Sequence, residues 1–198
     1  MLMRQNGSTL LISLILLLLF TVIGMTSVGN VSLNQKMSAN YRDSDLAFHA
    51  AEAALAEGEA YAEILSVDLM EDYLAVGCTG DDCFTAECVE GRCFNGSYSS
   101  GTVCDVDEPS PLVALNDDTW DVGGRARESE INFSGLEQAP KYIVEFMCYV
   151  QADPSAAAPP APPYAAADWS YFYRITSYAI GANGTSRIML QSTYKVIR

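Results

Sequence analysis

The sixteen residues from Leu10 to Met25 (LLISLILLLLFTVIGM) contain no charge and no proline. As a helix they span about 24 Å, against about 30 Å for the hydrocarbon core of a bilayer. Thr9 and residues 26–28 close that gap. The twelve Leu, Ile, Phe and Val residues favour insertion by about 4–7 kcal/mol in total. We therefore expect this segment to enter a membrane.

Three kinds of membrane segment fit this pattern. A cleaved secretory signal needs a small-residue cleavage site after the apolar run, and Met25 to Gly29 (MTSVG) is a poor match. A plain single-pass anchor is the second possibility. The third uses the small pair Gly7-Ser8 before the run, because a cytoplasmic peptidase could cut there and leave a helix that begins at Ser8.

The chain remains helical in character beyond the apolar run. It has no proline between Val28 and Leu65, and small or apolar residues recur there in alternating steps of four and three, which indicates one helix face. We predict a single helix from about Ser8 to Leu65, whose second half packs on a domain. The predicted face contains Met37, Tyr41, Ser44, Phe48, Ala51, Leu55, Gly58, Ala62 and Leu65, widened by Ala47, Ala50 and Ala54. The opposite face contains Lys36, Arg42, Asp43, Asp45, Glu52, Glu57, Glu59 and Glu63.

The charge balance is strongly acidic. The chain has 11 basic and 25 acidic residues, a formal net charge of −14. Between Asp68 and Asp121 there are thirteen acids and one base, Arg92. Such a surface repels phosphates, so nucleic acid is not expected as a direct partner. Arg4 before the apolar run, with net acid after it, predicts a cytoplasmic N-terminus and a body outside the cytoplasm.

All six cysteines follow the apolar segment. An even number in an exported acidic domain indicates disulfides, with 15 possible pairings. We expect Cys148, in a predicted strand, to pair with one of the loop cysteines. The four-residue spacers among the first four cysteines fit zinc poorly, so a metal site is the weaker reading. The disulfide candidates are Cys78, Cys83, Cys88, Cys93, Cys104 and Cys148.

An acidic run in the middle of the chain offers weak calcium candidates, Asp105, Asp107 and Glu108. Calcium binds oxygen ligands, but the EF-hand pattern is absent and prolines interrupt the run. A solvated acidic loop is the favoured interpretation. We expect Trp120 to anchor this loop by packing.

The C-terminal third is predicted to form strands at Lys141–Gln151, Trp169–Ile180 and Arg187–Ile197. Residues 153–168, rich in Ala and Pro, are predicted to be an exposed spacer. We expect three antiparallel strands with one polar face, the other face being covered by the amphipathic half of the helix. No nucleophile elbow, phosphate loop or histidine pair occurs, so neither an enzyme nor a cofactor is predicted.

Five segments together resemble PilX-type minor pilins, which are low-abundance subunits of bacterial type IV pili. The resemblance covers roughly residues 5–60 and 141–198, and the cysteine-rich middle of the chain has no feature that we can match. The segments are Gln5–Ile12, Leu33–Asp43, Ala47–Leu55, Tyr173–Thr176 and Leu190–Tyr194.

The resemblance implies an α+β, type IV pilin-like fold, with a long N-terminal helix packed on an antiparallel sheet. It also implies that prepilin peptidase cleaves between Gly7 and Ser8 and that Ser8 is N-methylated. The implied divisions are a leader (1–7), a transmembrane or filament-core half of the helix (8–28), an amphipathic half (29–65) and an extracytoplasmic domain (66–198). Within that domain we expect a Cys-rich acidic insert at 66–140 and antiparallel strands at 141–198.

In major pilins the fifth residue after cleavage is a Glu, thought to neutralise the free amine of a neighbouring subunit. Here that position is Ile12, and no acid precedes Asp43. A buried carboxylate is costly unless it is paired, so a subunit with nothing docked above it can dispense with the acid. This implies a position at or near the pilus tip, after residence in the inner membrane, in a complex that primes assembly.

The partners implied are other minor pilins and the major pilin through the N-terminal helix, prepilin peptidase, and a large PilY-like tip adhesin. Adhesion and twitching motility are the functions such pili serve. Two alternatives stay open on the sequence alone. One is a tip-type pseudopilin of a type II secretion system, and the other is a membrane-anchored enzyme or sensor unrelated to pili.

Overall fold

The computed structural model describes residues 8–65, 70–75, 78–80, 83–94, 99–101, 104, 120, 123–159 and 167–197. The chain divides into two compact units, Met1–Arg42 and Asp43–Arg198, which we describe separately. The helices are α1 (Ser8–Leu65) and α2 (Met70–Tyr73), with a 3₁₀ turn at Val89–Gly91. The strands are β1 (Arg92–Cys93), β2 (Ser99–Gly101), β3 (Arg127–Glu128), β4 (Lys141–Gln151), β5 (Trp169–Ile180) and β6 (Arg187–Val196).

The helix predicted from about Ser8 to Leu65 is confirmed as α1. It contains no proline, and its three glycines, Gly24, Gly29 and Gly58, do not interrupt it. Each glycine lowers helix propensity by only about 1 kcal/mol relative to Ala. A 58-residue helix tolerates this where packing compensates.

In the second unit, α1 packs on the sheet through its smallest residues. Five alanines, together with Gly58 and Leu65, line the buried face. The predicted face was centred wrongly, because Phe48 remains 39% exposed. The reason is distance: alanine lets the helix backbone approach the sheet more closely than a bulky ring does. The five alanines, each 0% exposed, are Ala47, Ala50, Ala51, Ala54 and Ala62.

Gly58 marks the closest approach of α1 to the sheet. A Cβ atom built on Gly58 would lie 2.7 Å from Cγ2 of Ile175 and 3.1 Å from Cδ2 of Tyr142. Ile175 and Tyr142 are both fully buried, so neither side chain can move aside cheaply. The helix can lie this close to the sheet only with glycine at this position.

The three predicted C-terminal strands are confirmed as β4, β5 and β6, with β6 ending at Val196. They form consecutive antiparallel pairs, and the β4–β5 register shifts between Phe146 and Cys148. The three strands are therefore antiparallel, as predicted, and the sheet as a whole becomes mixed through shorter strands that the sequence did not indicate. Three short strands pair with the other side of β4: β3 antiparallel, and β1 and β2 parallel. The cysteine-rich segment, predicted to be only a loop, supplies β1 and β2.

The sheet face toward α1 forms the main core and is strongly aromatic. Phe146 is in edge-to-face contact with both Tyr149 and Tyr173, at centroid distances of 5.0 and 5.7 Å. Such pairs contribute about 0.5–1.5 kcal/mol beyond their burial. The central strands supply Tyr142, Val144, Phe146, Tyr149, Trp169, Tyr171, Tyr173 and Ile175 to this core.

The opposite face of β4 and β5, predicted to be polar, is buried as well. Ile143 and Tyr178 belong to a second apolar cluster with Cys88, Cys93 and Trp120. The Trp120 and Tyr178 rings are stacked 5.1 Å apart, which confirms the prediction that Trp120 is a packing anchor. The prediction of a polar face was wrong because the disulfide-bonded segment forms a second cover over the sheet.

One ion pair is buried between the central strands. Glu145 of β4 and Arg174 of β5 are partners in the strand register, and their side chains are 2% and 9% exposed. Arg174 Nε donates to Glu145 Oε2 at 2.9 Å. Removing one member of such a pair typically costs about 3–5 kcal/mol, because the other charge is left buried and uncompensated.

We predict that Gly58→Val destabilises the second unit. The valine methyl groups cannot fit between α1 and the buried Ile175 side chain, and overpacking of this kind costs about 1–3 kcal/mol. Chemical denaturation should show the loss in the free energy of unfolding. Ala60→Val is the matched control, because Ala60 lies on the exposed side of the same helix and should change stability by no more than about 0.5 kcal/mol. Equal stabilities for the two variants would contradict the close-packing interpretation.

Candidate functional site

The N-terminal part of α1 presents an apolar surface. Exposed fractions are 71% at Leu10, 70% at Phe20 and 78% at Met25. Soluble monomers rarely expose apolar patches of more than a few hundred Å², and larger ones mark contacts with proteins or membranes. This segment is therefore the first candidate site. Its large exposed side chains are Leu10, Leu11, Ile12, Leu14, Ile15, Leu16, Leu17, Leu18, Leu19, Phe20, Val22, Ile23 and Met25.

The two hydroxyl groups in this segment bond to the helix itself. Ser13 Oγ donates to the Leu10 carbonyl at 2.9 Å, and Thr21 Oγ1 donates to the Leu18 carbonyl at 2.8 Å. Hydroxyls bonded back to the preceding turn need no water or partner. The segment can therefore enter an apolar environment without leaving a hydroxyl donor unsatisfied.

Within the part of the chain that the structure describes, none of the helices combines the length and apolar character needed to cross a membrane.

The proposed processing residues lie at the start of this segment. Gly7 is outside the described residues, and Ser8 is the first residue of α1. Ile12, at the position of the pilin Glu, is 55% exposed. Cleavage and methylation stay predictions.

Asp43, the first acid along α1, lies in a second candidate site at the β5–β6 hairpin. It was predicted on the solvated face, but it is only 4% exposed. The backbone N–H of Asn183 donates to its Oδ1 at 2.9 Å. The Ser186 hydroxyl and this backbone bond hold the pKa of Asp43 below its usual value. A Cβ on Gly181 would lie 2.5 Å from the Asp43 carboxyl carbon, so only glycine leaves room for the carboxylate.

Two further acids of the predicted solvated face also bind the domain. The Ser129 hydroxyl and the Glu130 N–H donate to the Glu57 carboxylate. The Ser192 hydroxyl donates to Glu59 Oε1 at 2.7 Å. Helical periodicity placed these acids on the face opposite the buried one, and it gave no signal that loops would reach them. They are bound because the small residues of α1 bring the helix close to the sheet.

Tyr61 joins α1 to the cysteine-rich side of the domain. Arg92 donates from Nη1 to the Tyr61 hydroxyl, and the Arg127 guanidinium lies 4.4 Å from the Tyr61 ring centroid. A cation over a Tyr ring contributes about 0.5–2 kcal/mol, more when it is desolvated. The adjacent Tyr142 hydroxyl has a raised pKa, caused first by burial and then by the Glu57 charge. These contacts connect β1 and β3 directly to the helix.

The six cysteines form three disulfides, as their even number indicated. Cys148 pairs with a loop cysteine, as predicted. The tight bridge between Cys88 and Cys93 closes a turn in which Cys88, Glu90 and Gly91 all have positive φ angles, between 51° and 79°. The pairs are Cys78–Cys83, Cys88–Cys93 and Cys104–Cys148.

The calcium candidates Asp105, Asp107 and Glu108 lie outside the described residues, so calcium binding stays a prediction. Among the residues that are described, no three His, Cys, Asp or Glu side chains are grouped so as to hold a metal ion.

An exposed apolar helix start, followed by a helix end packed on a sheet, defines the pilin-like class of α+β proteins. Two protein-family models match the chain. The model described as "PilX N-terminal" matches residues 6–56, and the model described as "Type IV pilus assembly protein PilX C-term" matches residues 89–196. The chain belongs to the PilX family of type IV pilus assembly proteins. No curated protein and no solved structure matches it.

The C-terminal match corrects the extent of the resemblance. It begins at residue 89, inside the cysteine-rich segment that we could not assign to the family. Family membership places the chain in type IV pilus assembly, where it associates with other pilus components and with the pilus at the cell surface. It favours the pilus over the secretion-system alternative.

We predict that Asp43 contributes stability that is lost in acid. Its folded-state pKa is lowered from 3.8, so its contribution is present above the unfolded pKa and is lost as the pH falls through the folded pKa. The difference in unfolding free energy between the natural chain and Asp43→Asn should therefore shrink from about pH 6 to about pH 3. Asp45→Asn, at an exposed position, is the control. A difference that stayed constant across this range would contradict the prediction.

Proposed function

We propose that this protein is a minor pilin that primes type IV pilus assembly from the pilus tip and has no catalytic activity. The observation that carries the proposal is Ile12, which stands where a shaft subunit needs Glu. No acid occurs before Asp43, so no other carboxylate on the apolar segment can substitute for it.

Cleavage after Gly7 would create a free amine at Ser8. In a filament core, the amine of one subunit needs a carboxylate from a neighbour, because an unpaired buried charge costs several kcal/mol. A subunit with Ile12 can offer its own amine to a neighbour below, but it cannot neutralise the amine of a subunit above. It is therefore suited to the end of the fibre.

Before assembly, the chain would reside in the inner membrane with its N-terminus in the cytoplasm. Residues 8–28 would span about 31 Å as a helix, close to the hydrocarbon thickness. The exposed Leu, Ile and Phe side chains and the internally bonded Ser13 and Thr21 hydroxyls support this placement. The same surface would then pack against the helices of neighbouring subunits.

The proposed partners follow from this sequence of events. Prepilin peptidase would act at Gly7-Ser8, and other minor pilins and the major pilin would bind along the N-terminal half of α1. A PilY-like adhesin would lie above the tip. No nucleic acid partner is proposed, because the net charge of −14 opposes phosphate binding.

We predict that labelled protein is found at fibre ends and that Ile12→Glu also moves it into the shaft. The new carboxylate can neutralise the amine of a subunit docked above, so the barrier to internal positions falls. Immunogold labelling of sheared pili measures the distribution. Leu11→Glu is the matched control, because it adds the same charge one residue away from the pairing position and should reduce incorporation. Natural protein spread evenly along the fibres would contradict a tip position.

We also predict that Gly7→Val blocks maturation, since a branched side chain would stand beside the bond to be cut. Intact mass of the membrane-extracted protein under non-reducing conditions should show the full precursor for the variant. The natural chain should lack residues 1–7, gain one methyl group and retain three disulfides. Asn6→Val serves as the control and should mature. A natural chain that keeps Met1 would overturn the leader assignment.

A further inference from the structure

Strand β6 forms an edge of the sheet. Among the described residues it pairs with β5 alone, and the ten-residue register has no shift. Natural proteins protect exposed edges with short strands, proline, bulges or central charges. The strand is long, contains no proline, and places its charges only near the two ends, at Arg187 and Lys195. Its middle, Ile188 to Tyr194, is uncharged.

The backbone groups that point away from β5 can be assigned. The Gly181 N–H donates to the Ser186 carbonyl at 2.8 Å, so these two residues form a hydrogen-bonded pair. Such pairs alternate along antiparallel strands, and from Ser186 onward every second residue bonds to β5. The residues between them direct their N–H and C=O groups to the open edge. They are Arg187, Met189, Gln191, Thr193 and Lys195.

Charge distinguishes this edge from the rest of the chain. Residues 169–198 contain four of the 11 basic residues and none of the 25 acidic ones, which gives a net charge of +4, against −18 for residues 1–168. Lys195 donates to the Gln151 carbonyl, a neutral acceptor, at 3.2 Å. On the α1 side of the sheet, the Ser192 hydroxyl of β6 donates to Glu59.

The same charges argue against pairing with a second copy of β6. A symmetric antiparallel pair of β6 strands would place Arg187 of one copy opposite Lys195 of the other, and like charges directly opposite each other destabilise a strand pair. A partner strand with a carboxylate near each end would place a negative charge opposite Arg187 and another opposite Lys195, and opposite charges stabilise a strand pair.

We propose that the open edge of β6 binds an extended segment of another protein, with an uncharged middle and an acidic residue near each end, as an added antiparallel strand. Main-chain hydrogen bonds from the five outward-facing residues would supply affinity, and Arg187 and Lys195 would fix the register. This goes beyond the proposed function, since it requires neither cleavage nor a tip position.

Hydrogen exchange on the full chain in non-ionic detergent tests the proposal. The probe is a ten-residue peptide of alternating valine and threonine with a glutamate at each end. In the free protein the amides of the five outward-facing residues should exchange fast, while those of Ile188, Leu190 and Ser192 should be slow. The peptide should slow the five by at least about tenfold. Slow exchange of the five in the free protein would mean that the edge is already covered, and the proposal would be wrong.

Thr193→Pro provides the matched variant test. Proline removes an outward N–H but no bond to β5, a substitution that edge strands tolerate, so peptide affinity should fall at least about tenfold with little loss of stability. Thr193→Ala keeps that N–H and should bind normally. A peptide with lysine in place of both glutamates should bind at least about tenfold more weakly, and equal binding would overturn the acidic partner. A dimer through β6 in light scattering would overturn it in favour of a second copy.

These measurements use no pili. A failure here therefore leaves the tip proposal standing, and evenly labelled fibres would leave the edge proposal standing.

Discussion

The close approach of α1 to the sheet is the constraint on which the second unit depends. Alanines at 0% exposure and Gly58, with no room for a Cβ, bring the helix backbone near the aromatic face of β4 and β5. Because the helix lies so near, acids beside its buried stripe can reach the loops: Asp43 binds the hairpin and Glu57 binds residues 129–130. A larger residue in the stripe would cost both the packing and these hydrogen bonds. Close packing of the small residues therefore positions the helix, and the hydrogen bonds of its acids depend on that packing.

The disulfide-bonded segment is the other half of this architecture. A sheet of three long strands with one helix would leave a face to solvent, and here the segment covers it with Trp120 and two of its bridges. The Cys104–Cys148 bridge joins residues 44 apart in the chain, and closing a loop of that size stabilises by about 4 kcal/mol in the chain-entropy model. It also ties the segment to the central strand β4. The fold is thus a sheet between two covers, one helical and one cross-linked.

Much of the secondary structure could be predicted from the sequence, because helix and strand bounds depend on local periodicity. The bounds of α1 and of β4 and β5 follow from steps of three and four, from strand composition and from turn residues, which act within a few positions. Burial on both sheet faces left a signal too: KYIVEFMCYVQ is a nearly continuous apolar run, which indicates a strand covered on both sides. The choice of Cys104 as the partner of Cys148 and the burial of Asp43 could not be predicted. They depend on which distant segments meet, Cys104 with β4 and Asp43 with residues 181–186, and nothing near either residue encodes that meeting.

The distribution of acids connects the two ends of the chain. All 25 lie between Asp43 and Asp168, so the apolar part of α1 and the last two strands contain none. Burying a carboxylate in a contact costs several kcal/mol unless it is paired, and surfaces that associate are depleted of charge at their centres. The acidic middle repels phosphates and other acidic surfaces. The two proposals therefore place association at the two acid-free ends: through an apolar helix whose Ser13 and Thr21 hydroxyls bond within the helix, and through a strand edge whose only charges are basic.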